Sequence, residues 1–196
     1  ILGFGNRPRD GSQMRRRGQE PACPYSARHD PKVFRYIAPV LRYAVKYKLG
    51  RATLEQMEYG VGKMTEGYLT ELSRSKRVAS VEQLVDDFWD RYYARIKPWY
   101  QPESDDVILT ASFGLTVGEA CRRLGVRNLV ASEVDVETMK VTYLNFNTNK
   151  TKRFRELYGP DAVIDEFYTD SKFDQPMIDM ARHAFMVKGN TITKVK

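Results

Sequence analysis

The apolar positions change period near the middle of the chain. In "PKVFRYIAPVLRYAVKYKLG", which starts at Pro31, the residues Phe34, Ile37, Leu41, Ala44 and Val45 recur at helical spacing. Pro39 is expected to kink that helix or split it, and Gly50 to stop it. "ATLEQMEYGVGKMTEGYLTELSR" predicts one or two weaker helices, interrupted by Gly60, Gly62 and Gly67. Ser80 opens "SVEQLVDDFWDRYYARI" with Glu82 and Gln83 close behind, near a capping-box pattern. Val81, Leu84, Val85, Phe88, Trp89 and Tyr92 make its apolar face. Residues 31–98 therefore read as a small helical bundle.

"KPWYQPESDD" (97–106) is a linker, and beyond it strands alternate with helices. "VILTAS" (107–112), "NLVASEV" (128–134), "AVIDEFYTD" (162–170) and "FMVKG" (185–189) are the expected strands. "KVTYLNF" (140–146) looks like part of a hairpin. "GEACRRLGV" (118–126), "NKTKRFRELYG" (149–159) and "FDQPMIDMARHA" (173–184) are the expected helices, the first two stopped by Gly125 and Gly159. This alternation over 99–196 predicts a parallel sheet with helices on its faces. In such sheets the chemistry lies beyond the carboxyl ends of the strands.

Polar chemistry gathers at those ends. One strand closes on Thr110, Ala111 and Ser112, and another on Asp170, followed by Ser171 and Asp174. Lys150 opens the helix between them. A hydroxyl and an ammonium can hold phosphate oxygens, and paired carboxylates can hold Mg²⁺, which takes hard oxygen ligands. Together they are the parts of phosphoryl-transfer chemistry. The plainer readings are that Asp170 and Asp174 cap a helix, and that Lys150 is a solvated charge beside Lys152, Arg153 and Arg155.

The order and spacing of "DVILTASFGLTVGEACRRLGV" and "NKTKRFRELYGPDAVIDEFYTDSKFDQPMIDMARHAFMVKGNTI" resemble the haloacid dehalogenase superfamily. They look most like its phosphoserine-phosphatase-like branch, with a helical cap inserted after the first strand. The resemblance spans roughly residues 31–193. It implies an α/β fold: a Rossmann-like parallel sheet with helices on both faces, plus an inserted helical-bundle cap. It also implies a Mg²⁺-dependent phosphatase that works through an aspartyl-phosphate. On this match Thr110, Ala111 and Ser112 bind the phosphoryl group, and Lys150 steadies it and the nucleophile. Asp170 is the metal ligand, and Asp174 supports either the metal's water shell or the lysine.

The family's first strand ends in Asp-x-Asp-x-Thr, whose first Asp is the nucleophile and whose second is the general acid and base. This chain lacks that motif. If Ile1 and Leu2 end the strand, Gly3 stands in the nucleophile's place, Gly5 in the acid/base place and Arg7 in that of the hydroxyl. If "PRDGS" stands there, Asp10 and Ser12 survive but Pro8 replaces the nucleophile. The first register is preferred, because an apolar strand precedes its gap. Residues 1–30 thus form a divergent N-terminal segment: a first core strand and an irregular arm. Losing the nucleophile predicts impaired turnover, and the rival reading is a binding protein that keeps the fold without the chemistry.

Composition adds little more. The 196 residues carry 32 Lys+Arg against 25 Asp+Glu, a net charge of +7 that suits anionic partners. Arg15 to Arg17, with Tyr25, read as a solvated arm rather than a nucleic-acid module. The expected partner is a small phosphorylated metabolite, not a membrane. Cys23 and Cys121 have no metal spacing and suit a reducing, cytoplasmic setting. "ILGFGN" is too short, with the wrong flanks, for a signal peptide.

Overall fold

The structure is a computed structural model that describes residues 2–3, 9–10, 31–76, 80–96 and 100–196. Gly5, Arg7, Pro8, Ser12, Arg15 to Arg17, Cys23, Tyr25 and residues 97–99 of the linker lie outside the described residues. The chain divides into two compact units. One takes Ile1–Gln19, Arg91–Glu133 and Asn145–Lys196, and the other Glu20–Asp90 and Val134–Leu144.

The second unit is built on helices α1 (Phe34–Lys48), α2 (Leu54–Ser73) and α3 (Val81–Tyr92), which runs on into the first unit. The helix α1 passes through Pro39 without a break. Proline here removes one hydrogen bond, to the carbonyl of Arg35. The helix α2 is likewise one uninterrupted helix. Thr53 caps it reciprocally: its Oγ1 accepts from Gln56 N, and Gln56 Oε1 accepts from Thr53 N. Two of its glycines are notches rather than breaks. A Cβ on Gly60 would stand 2.5 Å from the Tyr43 ring, and one on Gly67 would run into the Tyr36 ring. The aromatic side chains of α1 thus lie directly on the α2 backbone. Packing outweighs the ~1 kcal/mol per glycine that propensity charges against the helix. The short strand β5 (Lys140–Tyr143) also packs against α2.

The first unit is a layered α/β structure. Its strands are β1 (Leu2–Gly3), β2 (Arg9–Asp10), β3 (Asp106–Phe113), β4 (Asn128–Asp135), β6 (Ile164–Thr169), β7 (Ala181–Lys188) and β8 (Thr191–Lys194), in the spatial order β4-β3-β1-β6-β7-β8, with β2 paired to β3. The helices α4 (Gly114–Leu124), α5 (Thr148–Tyr158) and α6 (Gln175–Met180) connect them. The pairs β3/β4, β6/β7 and β2/β3 are parallel, whereas β1 is antiparallel to both neighbours and β8 is antiparallel to β7. The sheet is therefore mixed, where the alternation predicts a parallel one. The tight turn through Gly189, at φ +63°, sends the chain straight back as β8.

One expected helix is shorter than its pattern. The stretch 173–184 divides into a short helix and then a strand, because Ala181 enters the ladder opposite Ile164. Ala181 and Ala184 face the core while Arg182 and His183 are exposed. The core joins Val107, Leu109, Val130, Phe154, Ile164, Phe167 and Met177, all nearly inaccessible to water. Burying such side chains is the main driving term of folding. Cys121 is buried as well, and burial pushes its thiol up to about 12, which leaves it inert as a nucleophile. No helix among the described residues is long and apolar enough to cross a membrane.

Candidate functional site

The candidate site stands at the carboxyl ends of β3 and β6, within the first unit. Lys150, in the first turn of α5, and Asp174, just before α6, are both buried. They meet as an ion pair, Lys150 Nζ to Asp174 Oδ1 at 2.5 Å, with side chains 4% and 2% exposed. Asp174 Oδ2 accepts from Thr169 Oγ1 at 2.8 Å. Both carboxylate oxygens are thus engaged. Thr169 closes β6, so the strand end and the two helix starts are tied by one carboxylate. A buried charge pair persists only when geometry and extra hydrogen bonds offset its desolvation. Thr169 supplies the extra bond here.

Of the two roles the resemblance allows Asp174, this geometry is the one in which it holds the lysine. Asp170 is different: it follows β6 as an exposed residue. The two aspartates therefore face different surroundings, although only four positions separate them.

Thr110 is also buried, 3% exposed, at the point where β3 leaves its ladder. Leu109 pairs with Val130, but the next matched pair is Phe113 with Ser132, so Thr110, Ala111 and Ser112 form a β-bulge. Thr110 Oγ1 accepts from the Ser112 amide at 3.1 Å. A hydroxyl that accepts from an amide keeps its own hydrogen for another acceptor. Asn145, missed in the sequence, donates from Nδ2 to the carbonyls of Thr110 at 3.0 Å and Val130 at 2.9 Å. Asn145 precedes α5 and so links the bulge to the helix that carries Lys150. Of the expected site residues, Lys150 and Asp174 meet directly, and Thr110, Ala111 and Ser112 share the bulge that Asn145 holds. No motif spacing marks Asn145, Ser132 or Thr169; the signal is only that polar residues sit inside otherwise apolar stretches.

The first strand has two parts. The strand β1 lays Gly3 opposite Asp106, at the amino end of β3, away from Thr110. The strand β2 runs parallel to β3 and sets Asp10 opposite Leu109, one residue before Thr110. The parallel register is thus that of "PRDGS", not of "GFGNR".

Magnesium requires several oxygen ligands, usually two carboxylates with waters. Among the described residues no three His, Cys, Asp or Glu side chains come together as a cation site. Asp174 is occupied by Lys150 and Thr169, and Asp170 is exposed. The described side chains do not fit a Mg²⁺ ion.

With this geometry in view, the fold can be set beside two solved structures that it resembles. The chain matches a HAD family hydrolase from Salmonella enterica subsp. enterica serovar Typhi with a TM-score of 0.54 and 10% identity, over 92% of this chain and 61% of that one. It matches a protein of unknown function from Bordetella pertussis Tohama I with a TM-score of 0.52 and 16% identity, over 90% of this chain and 86% of that one. No protein-family model matches the sequence, and no curated protein is significantly similar to it. At these identities the likeness is one of fold alone: an α/β fold shared with these two proteins.

Proposed function

We propose that this chain is a HAD-like phosphomonoester hydrolase, or its descendant, whose turnover of a small phosphorylated metabolite is impaired. The observation that carries this reading is the buried Lys150–Asp174 pair, clamped by Thr169 at the end of β6. A fixed ammonium and a hydroxyl with a hydrogen to give are suited to phosphate oxygens. In this reading Thr110, Ala111 and Ser112 receive the phosphoryl group, and Lys150 neutralises its charge. Asp174 acts through Lys150: it keeps the ammonium from swinging to solvent. The helical section 31–98 is the cap in this reading, as the family resemblance implies.

Impairment follows from the acidic half of the site. The resemblance implies an attacking carboxylate and a Mg²⁺ ion, and the described residues hold neither a fitting cation site nor the Asp-x-Asp motif. The incomplete donor set favours a second reading, a phosphate-binding protein on the same fold without turnover. Asp10 is the residue to watch, since its backbone ends the strand beside Leu109.

A colorimetric assay with an aryl phosphate, with and without Mg²⁺, separates these readings. The expected result is slow turnover, well below that of an intact site, because losing an activated nucleophile removes most of the rate. Strong Mg²⁺-dependent turnover abolished by Asp170→Asn would refute impairment, and its loss in Asp10→Asn would locate the attacking carboxylate. Phosphate binding without any turnover would establish the second reading.

A further inference from the structure

The β-bulge at Thr110–Ser112 is held from beneath by two side chains that no motif contains. Ser132 Oγ donates to the carbonyl of Ala111 at 2.9 Å and accepts from the Asn145 amide at 2.9 Å. Asn145 Nδ2 donates to the carbonyls of Thr110 and Val130. Ser132 and Asn145 are both fully buried. The orientation of the Asn145 amide is not free: its nitrogen must face two carbonyls, because its oxygen there would meet two acceptors. Its Oδ1 is buried with no hydrogen-bond partner among the described residues, a cost the site carries to keep that orientation.

These bonds have a consequence for the backbone. In a regular strand successive carbonyls point to opposite sides. Here the carbonyls of Thr110 and Ala111 are both drawn toward Asn145 and Ser132. Each trans peptide sets its N–H opposite its C=O. The amides of Ala111 and Ser112 are therefore both turned away from β4, and two successive amides on one side form an anion-binding concavity. Ser112 N–H is taken by Thr110 Oγ1, which orients that hydroxyl. The Ala111 amide and the Thr110 hydroxyl remain as a matched pair of donors, and Ala111 is exposed.

We infer that Asn145 and Ser132 are positioning residues that build the oxyanion-binding bulge for a phosphoryl group. The inference rests on the phosphate reading of the site and deepens it. They do not touch the ligand; they set the direction of the donors that do.

The test uses the ¹⁵N-labelled full chain, inorganic phosphate as the probe, and the variants Asn145→Ala, Asn145→Asp and Ser132→Ala. Val187→Ala, in the core of β7, serves as a control that lowers stability without touching the bulge. Two readouts are taken. Without ligand, the amide resonances of 110–113 are expected to move in Asn145→Ala and Ser132→Ala and to stay in Val187→Ala. With phosphate, the wild-type Ala111 and Ser112 amides should shift on titration. Affinity should fall about tenfold or more in Asn145→Ala and Ser132→Ala, the scale of one lost well-placed hydrogen bond. Asn145→Asp should be worse than Asn145→Ala, because a carboxylate oxygen then faces two carbonyls. Ser132→Ala removes a single oxygen and keeps the test alive if Asn145 variants do not fold. Unmoved amides in the ligand-free spectra overturn the inference, as does wild-type phosphate affinity in Asn145→Ala and Ser132→Ala. If the wild type itself ignores phosphate, the phosphate reading falls, and the ligand-free spectra still decide whether the two side chains set the bulge.

Discussion

Cutting the Lys150–Asp174 pair gives the most direct measure of how the site is held. Take Lys150→Met, Asp174→Asn and the double variant. In Lys150→Met the carboxylate stays buried, keeps its bond from Thr169 at Oδ2 and loses its counter-charge at Oδ1. In Asp174→Asn it is the ammonium that stays buried without that counter-charge. Side-chain exposures of 4% and 2% leave almost no water to compensate either charge. Breaking one partner of such a pair costs about 3–5 kcal/mol. At about 2–4 °C per kcal/mol for a chain of this size, that is a fall of roughly 6–20 °C in Tm. The double variant removes both charges, and the amide oxygen of the new asparagine side chain can still accept from Thr169. It should therefore be more stable than either single variant, with a coupling of at least about 2 kcal/mol. Urea unfolding followed by circular dichroism measures all four proteins. Two single variants that each cost under about 1 kcal/mol and simply add would show a solvated pair of the surface kind, and the picture of a clamped ammonium would be wrong.

Other expectations follow from separate parts of the structure. Gly60→Ala places a methyl 2.5 Å from the Tyr43 ring and should destabilise by about 1–3 kcal/mol. Gly62→Ala, two residues away on the same helix, meets nothing within 4 Å and should stabilise by up to about 1 kcal/mol. Thermal unfolding of the two variants decides whether the glycines are notches, since equal effects would deny it. Hydrogen bonds from Arg122 and then Arg123 hold the Glu119 carboxyl down at about 2, against 4.5 ordinarily. A depressed folded value stabilises above the unfolded value, and that contribution fades as pH falls from about 4.5 toward 2. Glu119→Gln should therefore flatten the acid limb of the stability curve in that window, and an unchanged slope would remove the pair from the account.

Local chemistry made much of the plan readable. The strands that open at Asp106, Asn128 and Ile164 are short β-rich runs between turn residues, and the helices between them end at Gly125 and Gly159, whose φ of +73° and +98° suit glycine. Polar residues at the ends of apolar strands could be picked out because a strand end is where a buried run meets solvent. Other features depend on what a distant segment brings. Gly60 and Gly67 of α2 look like breaks until the rings of Tyr43 and Tyr36 fill them. The run "ARHA" reads as helix until Ile164 offers it a ladder. The antiparallel sense of β1 has no local signature, since its partners β3 and β6 lie far along the chain, whereas that of β8 follows from the tight turn through Gly189.

The site divides the same way. Thr110, Lys150 and Asp174 are marked along the chain by residue type and place. That Asp174 serves the lysine while Asp170 faces solvent is a matter of which side each carboxylate turns to, and a four-residue spacing does not encode it. Asn145 and Ser132 carry no visible signal, because their importance lies in which carbonyls they reach. Hydrogen bonds span about 3 Å, and only the folded chain brings residues 110, 132 and 145 within that reach.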